Sequence, residues 1–233
     1  MTEIAPNIDQ HWRTKRRSIG REGNTVLVID NFFPDPDILM KDASVRSYSA
    51  LAPYYPGIRA KVPGKYIHML EPALTKVLAT AFGFNDGFNL KECFYSLLTT
   101  QVKDLKLIQS LPHVDGGNDK RVALLHYLCD ESFGGTSFYR HRRTGFESVP
   151  NDRFPTYKAA LEKDVEIFGR PKQQYFSGDD EKFERIGHVE AKFNRAVIYF
   201  GRNLHAIDIG KDFTFNQRPT EGRLTINSFL DPV

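Results

Sequence analysis

Hydrophobic positions divide the chain into two textures. Up to about residue 90, short apolar runs alternate with helix-spaced sets. Thr25 to Ile29 is a β-branched run that predicts a strand. Pro34 and Pro36 then lead into a helix with Ile38, Leu39 and Ala43 on one side. Pro72 fits the first turn of a second helix and Gly83 its end. Between the two helices, three prolines and two glycines from Pro53 to Gly64 mark an ordered, irregular loop. Its Tyr54, Tyr55, Arg59 and Lys61 either overhang a pocket or form a tyrosine-packed surface loop.

From Asn89 onward the pattern shortens to period two. β-Rich runs occupy Glu92 to Thr99, Val122 to Cys129, Thr136 to His141, Val189 to Phe193, Ala196 to Phe200 and Leu224 to Leu230. Many short strands broken by turn residues predict a barrel or jelly roll. FPTYKAALEKDVEIFG reads as a helix and PKQQYFSGDDEKFERIG as a loop, so an insertion of about 146–187 interrupts the strands, either as a lid or as a cap over one end. The expectation is a mainly β (α+β) chain, one domain over 1–233, with an N-terminal α/β support region over 1–90 and a β core over 91–233.

Composition narrows the class. With 233 residues the chain can bury a sizeable core, and 40% hydrophobic, 26% charged and a net charge of +3 describe an ordinary folded domain. There is no strong nucleic-acid signal. Basic residues collect in HWRTKRRS, which reads as a solvated N-terminal tail, and in YRHRRTG, which suits either an anionic partner or a solvated hairpin. Cys93 and Cys129 sit in apolar runs, where unpaired cysteines act as small hydrophobes. Without a signal-like apolar core at the N-terminus or a membrane-length apolar run, the expected location is the cytoplasm.

LPHVDGG, followed at once by the strand RVALLHYLCD, carries the strongest chemical signal. In an extended segment His113 and Asp115 point the same way and can share a metal ion. The third ligand must come from elsewhere, and His205, just beyond the strand AVIYF, is the best placed. Two histidines and one carboxylate suit Fe(II) with positions left open for a chelating cosubstrate and O2. His188 with Glu190 is a rival pair on one strand face, explained more simply by a strand end paired with its neighbour. His126, in mid-strand, reads as a satisfied core histidine.

Taken in order, these motifs resemble the Fe(II)/2-oxoglutarate-dependent oxygenases of prolyl 4-hydroxylase type, in particular a bacterial branch. PHVDG resembles the H-x-D segment, RVALLHYLCDESFGGTSFY the strand with a Tyr-Leu pair and Gly-Gly turn, and FNRAVIYFGRNLHA the strand carrying the distal histidine. EGRLTINSFL resembles the last core strand, whose basic residue in that family grips the far carboxylate of 2-oxoglutarate. The resemblance implies a double-stranded β-helix (jelly roll, cupin-like) core, a metal held by His113, Asp115 and His205, and 2-oxoglutarate held by Arg223 with Thr225 and Tyr127. It also implies hydroxylation of a substrate with release of succinate and CO2. Cys129 replaces a common Asn, and the long interval from His205 to Arg223 implies a hairpin over Asp208 to Gly222. Arg218 is then a rival anchor, but Arg223 opens an alternating strand on which Thr225 and Asn227 share its face. Tyr95, Gln109 and Tyr127 are further groups that could orient ligands. Two readings without 2-oxoglutarate remain beside this one: a cupin-like metal protein, and a non-catalytic binding module.

Overall fold

Period-two runs pair antiparallel into two facing sheets in the computed structural model, which describes residues 8–210 and 213–233. The elements are β1 Arg13–Ile19, β2 Asn24–Asp30, α1 Pro36–Ser44, β3 Gly57–Lys61, α2 Lys65–Phe82, β4 Phe88–Leu98, β5 Val122–Tyr127, β6 Gly135–His141, α3 Phe154–Phe168, β7 Phe183–Glu190, β8 Arg195–Phe200, β9 His205–Asp208 and β10 Leu224–Pro232. The large sheet has the order β1-β2-β8-β5-β10-β4-β3 and the small one β7-β6-β9. Together they form a double-stranded β-helix, a jelly roll.

Alternation sets what each face of the large sheet meets. Leu27, Ile29, Tyr95, Leu124, Ile198 and Ile226 pack against α1 and α2 in one apolar cluster. Val26, Val28, Tyr127, Val197 and Tyr199 point the other way and meet Phe138 and Val189 of the small sheet. The outer face of the small sheet is covered by α3 and its flanks, through Tyr139, Tyr157, Phe176 and Phe183. The insertion thus caps that outer face, and beyond α3 the Tyr175 hydroxyl reaches the end of β4, donating to the Thr100 carbonyl at 2.7 Å.

Several expectations are corrected. HWRTKRRS is not a tail: from Arg13 it is edge strand β1, paired residue for residue with β2 and pinned by Trp12 Nε1 donating to the Phe32 carbonyl at 2.8 Å. Charged side chains on a solvent-facing edge guard it against intermolecular pairing and make it look like a tail. Helix α2 starts seven residues before Pro72, which lies inside it, because Tyr66, Ile67 and Leu70 are all buried and their packing outweighs the lost backbone bond. Gly83 ends that helix in the left-handed conformation, as expected. The Pro53–Gly64 loop contains β3, the strand expected at Val189–Phe193 is shifted to β7, and the 208–222 connection forms no hairpin among its described residues.

Two buried polar clusters hold the frame. His126 is a core histidine: Asn194 accepts at Oδ1 from the Phe33 N–H, so His126 Nε2 donates to that oxygen at 3.0 Å, and the Tyr66 hydroxyl donates to Nδ1 at 3.1 Å. Burial pushes this imidazole down to about 4. The unfolded chain therefore takes up a proton that the folded one refuses. The stability this residue protects is present above pH about 6.5 and is lost as pH falls toward about 4, by on the order of 3 kcal/mol. Urea titrations at stepped pH should show a shallower acid loss in His126→Gln than in the parent chain.

The Glu147 side chain is fully buried, and its carboxylate accepts from Arg140 Nε at 2.8 Å and from the Arg21 and Glu22 N–H groups at 2.8 and 2.9 Å, tying the β1–β2 turn to β6. Gly20, at φ +69°, is required there: a Cβ would sit 2.0 Å from Glu147 Oε2. Glu147→Ala leaves a buried guanidinium short of its partner, so unfolding should be easier by about 3 kcal/mol, read from the urea midpoint.

Candidate metal centre and cosubstrate pocket

Extended backbone at the barrel mouth positions the H-x-D segment. His113 and His205 exchange backbone hydrogen bonds at 2.9 Å in both directions, and the Asp115 N–H donates to the Gly201 carbonyl at 2.7 Å. Period two then turns the side chains of His113 and Asp115 to the face where His205 stands. One donor atom from each of the three lies within 4.8 Å of the others, the one such group found among the described residues. The rings of His113 and His205 are 4.4 Å apart.

His205 is buried, and its Nδ1 donates to the Asn203 carbonyl at 2.8 Å. That bond fixes the tautomer and leaves the Nε2 lone pair facing Asp115 Oδ2, 3.6 Å away. Tyr199 packs its ring edgewise on His205 at 4.8 Å and holds its plane. His113 opens to solvent at the rim while most of its surroundings are protein. Desolvation, then the neighbouring His205, pushes it down to about 4. Desolvation likewise lowers His205 to about 4. Burial raises Asp115 to about 6, with His113, Arg59 and Arg121 pulling it back. Two neutral imidazoles therefore face a carboxylate whose Oδ2 is buried without a hydrogen-bond partner. A divalent cation fits this donor set, since it would satisfy that oxygen and offset the desolvation of all three groups.

Deeper in the barrel, Arg223 is only 1% exposed, among the largest fully buried side chains. Its Nη2 donates to the Gly135 carbonyl at 3.0 Å, its Nε has no partner, and no acid among the described residues pairs with it. A buried guanidinium without a counter-charge is costly, and an incoming carboxylate is the chemistry that relieves it. The Thr225 hydroxyl is buried beside it and donates to Asn227 Oδ1 at 2.7 Å. Tyr127 meets Arg223 through its ring, 5.6 Å from the guanidinium carbon, while its hydroxyl pairs with Thr136 at 2.6 Å.

The other sequence candidates lie elsewhere. His188 bonds Ser137 at 3.0 Å and faces Asp208 at 3.4 Å on the outer side of the small sheet, remote from the His113 cluster. Arg218 is exposed and bound to Glu221 at 2.7 Å. Tyr95 points into the helix-covered face, and Gln109 bonds the Lys106 N–H and the Tyr54 carbonyl. Arg140, Arg142 and Arg143 of the basic run pair with Glu147, Glu184, Asp179 and Asp164. Sequence reasoning missed Tyr199 and the Asn203 carbonyl. An aromatic at the end of a strand just before a metal-binding histidine was the one available signal.

A model of a family of unknown function, DUF6445, matches residues 10–230. No curated protein matches the sequence. Among solved structures, HygX from Streptomyces hygroscopicus, with nickel, 2-oxoglutarate and hygromycin B bound, aligns at a TM-score of 0.52 and 14% identity over 100% of this chain and 88% of that one. A prolyl hydroxylase from Trichoplax adhaerens, in complex with a hypoxia inducible factor peptide fragment, aligns at 0.47 and 13% over 91% of this chain and 85% of that one. An N-substituted L-amino acid dioxygenase from Burkholderia ambifaria AMMD, in complex with alpha-KG, aligns at 0.42 and 12% over 89% and 82%. At such identities the likeness is one of fold. No described helix is long and apolar enough to cross a membrane.

Proposed function

The chain belongs to DUF6445, a family of unknown function, and for it we propose an Fe(II)- and 2-oxoglutarate-dependent oxygenase that hydroxylates its substrate with release of succinate and CO2. The observation that carries this reading is the buried guanidinium of Arg223, with which no acid among the described residues pairs, inside the same barrel whose mouth holds the His113, Asp115 and His205 cluster. A cupin-like metal protein needs the cluster but has no use for that arginine.

His113, Asp115 and His205 would hold the iron, and bound iron with 2-oxoglutarate supplies O2 activation and C–H oxidation. The protein's own work is placement. Arg223 receives the far carboxylate in a two-point grip, with Thr225 beside it. The Asn203 carbonyl keeps His205 in the tautomer that offers Nε2. Tyr199, Phe138 and Val189 keep the barrel wall apolar and exclude water behind the site.

Hydroxylation, rather than halide transfer, follows from Asp115 being a carboxylate: a small residue there would free a coordination position for halide. Three measurements test the proposal. Metal-loaded, oxygen-free protein titrated calorimetrically with 2-oxoglutarate should bind it, and admitting air should release succinate. With a substrate in hand, product mass should rise by one oxygen atom. Absence of binding at millimolar 2-oxoglutarate would return the chain to the cupin-like reading.

A further inference from the structure

A second arginine enters the same barrel from the edge strand. Arg59 of β3 stands opposite Ser96 of β4, Ser96 opposite Thr225 of β10, and Thr225 opposite Tyr127 of β5. Directly paired residues of antiparallel strands project to one face, so Arg59 shares the interior face with Thr225. Arg59 is 9% exposed and its Nε is buried with no hydrogen-bond partner. Its guanidinium lies over the ring of Tyr55, 4.5 Å from the centroid, and 5.8 Å from that of Phe94.

What Arg59 lacks is a committed acid. The one acid paired with it among the described residues is Glu92, at 3.6 Å without a hydrogen bond, on a side chain that is 46% exposed. Arg121, whose charge also reaches Asp115, differs sharply: Asp231 takes its Nε and Nη2 at 2.8 and 3.0 Å and the Gly116 carbonyl takes Nη1 at 3.0 Å. Arg121 is therefore spent on structure, whereas Arg59 keeps an unfilled donor. Tyr55 separates the two open arginines. Its ring covers Arg59, while its buried, unpartnered hydroxyl lies in the field of Arg223 and beside Thr225.

We propose that Arg59, backed by the Tyr55 ring, is the substrate-recognition residue of this site and receives a carboxylate of the substrate on the far side of Tyr55 from Arg223. The inference rests on the oxygenase reading for the word substrate, but the anion subsite itself does not. A planar carboxylate can take the guanidinium fork on two points, filling the Nε position that Glu92 does not reach. The substrate class is then organic acids with an apolar body, which Phe94 would pack against.

Zinc-loaded protein, saturated with 2-oxoglutarate so that Arg223 is occupied, is titrated by NMR with benzoate, hexanoate and N-acetyl-L-leucine, each against its carboxamide. At least one acid should bind, with its amide on the order of tenfold weaker or worse. Arg59→Gln should weaken that acid on the order of tenfold to a hundredfold, with Arg59→Lys between the two. Glu92→Gln, at an exposed position, should tighten it by removing a competing carboxylate. The 2-oxoglutarate affinity of each variant, measured in the same samples, should stay within about twofold of the parent, which also certifies folding. No acid bound by the parent, or equal binding by Arg59→Gln and the parent, overturns the inference. If 2-oxoglutarate fails to bind while Arg59 still selects acids over amides, the oxygenase reading falls and the anion subsite stands.

Discussion

Replacing His113, Asp115 or His205 with alanine is expected to abolish stoichiometric Fe(II) binding, each one singly. Three donors within 4.8 Å form an open facial set, so loss of any one leaves a two-point site that cannot compete with water and buffer for the ion. The fold should survive all three changes. The segment is held by backbone bonds, His113 with His205 at 2.9 Å and Asp115 with Gly201 at 2.7 Å, which alanine keeps. Asp115→Ala also removes a buried carboxylate oxygen that has no hydrogen-bond partner, so metal-free stability should not fall with it. Anaerobic equilibrium dialysis against Fe(II), with urea unfolding of the metal-free proteins alongside, reads both. Iron retained by His113→Ala but lost by His188→Ala would move the site to the other sheet face. Glycine at 201 belongs to the same arrangement, because a Cβ there would sit 3.0 Å from that of Asp115. Gly201→Ala should weaken iron binding without removing a ligand.

Arg223→Lys is expected to weaken 2-oxoglutarate binding about ten- to a hundredfold while metal affinity stays unchanged. An ammonium is a point charge, and from the same backbone position it cannot reproduce the planar fork. Loss of one charge-assisted hydrogen bond in a buried site costs about 1.5 to 3 kcal/mol, which is that range of affinity. Arg218→Ala should do nothing, since Arg218 is exposed and spent on Glu221. Calorimetry on oxygen-free, metal-loaded protein measures both variants. Equal binding by Arg223→Lys, or loss of binding in Arg218→Ala, would remove Arg223 as the anchor.

Much of the barrel was legible because strands announce themselves locally. The runs at Val122, Ala196 and Leu224 alternate or are continuously apolar, and β5, β8 and β10 begin within a residue of where those runs do. The misread elements are those whose local chemistry and tertiary role disagree. Edge strand β1 carries RTKRR because its outer side faces water, and β3 hides among prolines because an edge tolerates them. Pro72 looks like a helix start until the burial of Tyr66 and Leu70 draws the helix seven residues back.

The sequence alone determined that His113 and Asp115 share a face, that an apolar strand runs into His205, and that Arg223 and Thr225 share a strand face, because two-residue periodicity is a local property of extended backbone. Only the tertiary structure decided which distant pieces meet. The backbone pairing of His113 with His205, the deep burial of Arg223 and the placing of Arg59 opposite Ser96 all depend on strand register between segments far apart in the chain. Register is set by the packing of whole sheet faces, and a slip of one residue would turn every one of these side chains to the other side.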